Sequence, residues 1–171
     1  MVKLFFDIRK SMSSRDKDFE DVEKYNTNHD ARGRFTYGTV VGGISNHTMR
    51  QGGMSVHVKT GKEPKSGYMV AAHADRSRWI SAKEARDPDT REAAIRKFMK
   101  DNADLLSQKD NYLGTWLDPD TGMISLDIST CMSDKNAAID YAREHNEKAI
   151  WDIGNAENIS TGGTGSNLPP Q

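Results

Sequence analysis

Cys131 is the only cysteine in 171 residues, so neither an internal disulfide nor a cysteine-built metal cage exists in this chain. No stretch approaches the roughly 18 consecutive apolar residues that a membrane-spanning helix needs. Residues 1–10 hold only the short apolar run Leu4, Phe5 and Phe6, with no signal-peptide core. These absences lead to the expectation of a soluble protein of a reducing compartment, without membrane contact. An excess of positive charge is missing too. Twenty-four Lys and Arg against 25 Asp and Glu leave a net charge of −1, which argues against nucleic acid, whose binding rests on clustered cations. Hydrophobic residues make up 35% and the mean hydropathy is −0.78, so only a modest core is expected. Asn46-His47-Thr48 and Asn158-Ile159-Ser160 match the glycosylation sequon but lack a secretion signal, and are read as chance matches.

The charge that is present is unevenly placed. Residues 1–65 carry 12 basic against 8 acidic side chains, and residues 66–171 carry 12 against 17. This asymmetry predicts a boundary near Pro64 and three parts: an N-terminal arm over 1–65, an α+β domain over 66–154 and a flexible tail over 155–171. In the arm, residues 2–8 suit a short strand. Residues 13–25 suit a charged helix with a thin apolar face of Phe19, Val22 and Tyr25. From 26 to 53, glycines at 33, 38, 42, 43, 52 and 53 raise the entropic cost of ordering the chain, and a flexible or partner-ordered segment is expected. Residues 54–58 alternate as one strand.

Beyond Pro64 the signals sharpen. Strands are expected at 68–72, 112–117, 124–129 and 149–153, with a short edge piece around Arg78, Trp79 and Ile80. Ser81 suits the cap of a helical turn, Asp87-Pro88 opens a longer helix, and Ser133 is expected to cap a second one. Asp118-Pro119-Asp120-Thr121-Gly122 is a hairpin turn signal. Ile124, Leu126 and Ile128 alternate with Ser125, Asp127 and Ser129, predicting a sheet buried on one side only. The order strand, helix, strand, strand, helix, strand is that of the ferredoxin-like βαββαβ arrangement, and this is the predicted fold.

Catalytic chemistry has no clear carrier. Asp118, Asp120 and Gly122 begin like a calcium loop, but the further oxygen ligands are missing and the turn reading is preferred. His29, His47, His57, His73 and His145 show no pair at i,i+4, so neither a metal nor any cofactor is expected. His73, Asp75 and Arg76 gather at a strand end, and Cys131 precedes a helix. Neither group has a paired base or nucleophile in sequence, so no catalytic residue is assigned. Surface aromatics of an RNA-recognition sheet are likewise not expected on a strand presenting Ser125 and Asp127. Trp116 and Trp151 are expected in the core. Arg78 and Trp79 have the composition of a partner-binding hot spot.

Asn28-His29-Asp30-Ala31-Arg32-Gly33-Arg34-Phe35 is the most distinctive run. Asn and Asp cap their own backbone, Gly33 permits a left-handed turn, and two arginines flank an apolar plug. His29, Asp30, Arg32, Arg34 and Phe35 are therefore candidate partner-binding residues. The run resembles the N-H-D-x-x-G-R-F segments of tailed-bacteriophage minor head and head-associated proteins of the Mu F-like kind. Tyr112-Leu113-Gly114-Thr115-Trp116 and Ala149-Ile150-Trp151-Asp152 resemble small domains appended to such proteins. The resemblance implies a phage-encoded, non-enzymatic, virion-associated protein that contacts other phage structural proteins or a host protein. It implies a place first in the host cytoplasm and then in the virion, and an oligomer is compatible with it. Two alternatives stand beside it: a small inhibitor of a host enzyme or defence protein, using an acidic face of Asp127, Asp134, Asp140 and Glu144, and an enzyme using His73, Asp75 and Arg76.

Overall fold

The computed structural model describes residues 37–71 and 73–165, and the expected strand at 2–8, the helix at 13–25 and the 28–35 motif lie outside them. The first described element corrects an expectation. Tyr37–Gln51 is an α-helix, here α1, where glycine density predicted irregular chain. Val40, Val41, Ile44, Ser45 and Thr48 recur at helical spacing and are all buried, so tertiary packing outweighs the glycine penalty.

Seven strands follow: β1 (Gly53–Val56), β2 (Tyr68–Val70), β3 (Arg78–Ile80), β4 (Asn111–Leu117), β5 (Ile124–Met132), β6 (Ala149–Asp152) and β7 (Glu157–Ser160). They form one antiparallel sheet in the order β1-β4-β5-β2-β6-β7, with β3 paired to β5. The protein is thus α+β. The expected break at residue 65 is not a break in packing: β1 pairs with β4, and α1 shares the main core. Nor does the ordered chain end at 154, because β7 hydrogen-bonds along β6.

Between β3 and β4 lie α2 (Ala82–Arg86), α3 (Pro88–Asp101) and α4 (Ala103–Leu106), and α5 (Lys135–Glu144) precedes β6. Ser81 and Glu84 form a reciprocal capping box, and the Asp87 carboxylate accepts from the Thr90 N–H just ahead of Pro88. The α5 cap is Asp134 rather than Ser133. Its carboxylate accepts from the Ala137 N–H at 2.8 Å, satisfying an orphan donor of the first turn.

All of these helices cover one face of the sheet. Val41, Ile44, Ile95 and Phe98 pack with Val56, Leu113, Ile124, Leu126 and Ile128, while Ala138 and Ala142 of α5 pack with Val70 and Ile150. A buried polar contact ties α1 to β4: Thr48 donates to the Ile44 carbonyl, leaving its oxygen to accept from the Thr115 hydroxyl at 2.6 Å. Arg91, also buried, joins α1 to α2, with Nε donating to Ser45 Oγ at 2.7 Å and a guanidinium nitrogen donating to the Ala85 carbonyl.

Candidate functional site

The opposite face of the sheet carries no described helix, and the sequence predicts it to be solvated. It is not. Ser125, Asp127 and Ser129 are exposed by only 3%, 5% and 0%. The register shows why. Ser125 is the cross-strand partner of both Trp116 on β4 and Trp79 on β3, and the two indoles meet edge to face over it, their centroids 6.2 Å apart. Ser129 lies opposite Tyr112, whose ring meets His57 at 5.7 Å. Further along, Cys131 lies opposite Met69, and Met69 opposite Trp151. The odd positions of β5 therefore form a narrow polar floor between aromatic walls. Trp79, Trp116, Tyr112 and Trp151 are each half-buried, so the expectation of core positions for Trp116 and Trp151 is corrected: both stand on the face away from the helices.

At the middle of that floor Asp127 faces Gly114. A Cβ added to Gly114 would come within 2.1 Å of Asp127 Oδ1, so the carboxyl occupies the space left by the missing side chain. Residues two apart on a strand share a face, which places Tyr112 and Trp116 on either side of this carboxyl. Its hydrogen-bond donor is the Ser129 hydroxyl at 3.0 Å. Burial pushes Asp127 up to about 6, against the smaller opposing effect of that hydrogen bond.

A gap in the sheet lies beside it. β3 covers β5 from Ile124 to Leu126, and β2 covers it from Thr130 to Met132. Among the described residues, Asp127, Ile128 and Ser129 therefore have no strand partner on that side, and Ala74–Arg76 forms a 3-10 turn ahead of β3. Glu147, half-buried, lies just before β6. Burial, and then the Asp127 charge, push it up to about 7, while His145 pulls it down. Glu147 Oε1 is buried without a hydrogen-bond partner. His145 in turn lies against Tyr141, with ring centroids 4.3 Å apart. The electrostatic chain continues to His73, which burial holds below the usual histidine range and which also feels Asp75, His145, Arg76 and Asp104.

The sequence-derived candidates fall as follows. His29, Asp30, Arg32, Arg34 and Phe35 lie outside the described residues. Arg78 and Trp79 are neighbours on β3 and so project to opposite faces. Arg78 shares a register row with Leu126 of the helix-covered face, which separates the expected hot-spot pair. Arg76 is engaged, donating to Asn102 Oδ1 at 3.3 Å and to Asp104 at 3.2 Å, and among the described residues His73 has no nucleophile paired with it. Burial raises the Cys131 thiol, with Asp110 adding to the shift, the reverse of the activation that a helix N-terminus would supply. The acidic face divides as well: Asp134, Asp140 and Glu144 are exposed on or beside α5, and Asp127 is buried on the other side of the sheet. Sequence reasoning missed Glu147, Tyr112 and Gly114. The readable signal was Tyr112-Leu113-Gly114-Thr115-Trp116, two aromatics on one face with a glycine between them opposite a strand of small polar residues. Among the described residues no group of three or more His, Cys, Asp or Glu is arranged to hold a metal ion, and no helix is long and apolar enough to cross a membrane. No protein-family model matches the chain, and comparison with curated proteins and with solved structures returns no match.

Proposed function

We propose that this is a phage-encoded, virion-associated accessory protein that acts without catalysis, by docking a partner protein on the aromatic-walled face of its sheet. The single observation that carries the docking reading is the Trp79–Trp116 pair. Two half-buried indoles, edge to face, stand on a face that no described helix covers. Tryptophan in this setting offers large contact area at low entropic cost, as binding hot spots do. The phage and virion parts rest on the resemblance of residues 28–35 and of the 112–116 and 149–152 segments to minor head proteins. The finer fold is proposed with it: β2, β4, β5 and β6 as a ferredoxin-like unit, extended by β1, β3 and β7. The strand order β4-β5-β2-β6 and the placement of α3 and α5 on one face support that reading.

The experiment is co-purification. Tagged chain expressed during infection is followed through virion banding, alongside Trp79→Ala and Trp116→Ala. The expected result is wild-type chain in the virion band and loss of both variants from it. Wild-type chain found only in the unbanded lysate overturns the virion assignment. Equal banding of the variants overturns the face as the docking surface.

The host-inhibitor reading keeps the same face and changes the partner to a host protein. The separation of Asp127 from Asp134, Asp140 and Glu144 removes the single acidic face it called for.

A further inference from the structure

We draw no further inference here: the strongest candidate, the half-buried Trp79–Trp116 pair on the sheet face that no described helix covers, belongs to the docking site already described, and nothing in the structure shows what covers it.

Discussion

The carboxyl of Asp127 lies where the side chain of Gly114 would begin: a Cβ at 114 would sit 2.1 Å from Oδ1 and 2.8 Å from the carboxyl carbon. These two residues face each other across β4 and β5, and the missing side chain of one is the space that holds the other.

Gly114→Ala is accordingly expected to destabilise the protein by about 1–3 kcal/mol, the usual range for forcing an atom into packed space. The double variant Gly114→Ala, Asp127→Ser removes the clashing carboxyl oxygens and is expected to recover most of that loss. Urea denaturation of the two single variants and the double one measures the coupling. Additive effects would show that 114 and 127 do not share the space.

Asp127 also predicts a pH dependence of stability. Its pKa rises from 3.8 to about 6 on folding, so the folded state holds the proton more tightly than the unfolded one. The associated stability is fully present below pH 4 and is lost as pH climbs through 6. Glu147, raised to about 7, extends the same trend. Asp127→Asn cannot ionise, and above pH 6 it is expected to be more stable than the wild type by on the order of 2 kcal/mol. Denaturation midpoints at pH 4.5, 6 and 8 test this. Parallel curves for the two proteins would mean that Asp127 keeps an ordinary carboxylate pKa.

Arg91 is buried, with Nε on Ser45 Oγ and a terminal nitrogen on the Ala85 carbonyl. Arg91→Met leaves both acceptors in the core without a donor, and a loss of about 2–4 kcal/mol is expected. Lysine has one nitrogen where arginine has a rigid fork, so Arg91→Lys restores less than half of it. A fully rescuing lysine in thermal unfolding would refute the two-acceptor role.

Trp79 and Trp116 meet edge to face, an arrangement that contributes about 0.5–1.5 kcal/mol beyond the area it buries. Trp79→Ala and Trp116→Ala are expected to be non-additive by that amount in a double-mutant cycle. Either substitution also uncovers Ser125, and quenching of the remaining indole by acrylamide is expected to increase. Unchanged quenching would place the rings apart in solution.

Local chemistry was legible from the sequence where local chemistry decides. Ser81 with Glu84, Asp87 with Pro88 and the 118–122 turn each place their hydrogen-bond partners within a few residues, so caps and turn could be read directly. The alternation of β5 assigned Ile124, Leu126 and Ile128 to one face and Ser125, Asp127 and Ser129 to the other, because successive side chains on a strand must point oppositely. The tertiary structure decided what each face meets. Helix α1 forms through glycine-rich sequence because a core distant along the chain receives Val41 and Ile44. Ser125 on the polar face of β5 is covered by Trp79 and Trp116, which arrive from strands 46 and 9 residues away along the chain. Asp127 is desolvated in the space that Gly114 leaves opposite it on β4, a pairing that no periodicity encodes. Hydrophobic alternation states which side chains share a face. Desolvation, and with it the chemistry of a buried acid, depends on neighbours that only the folded chain brings together.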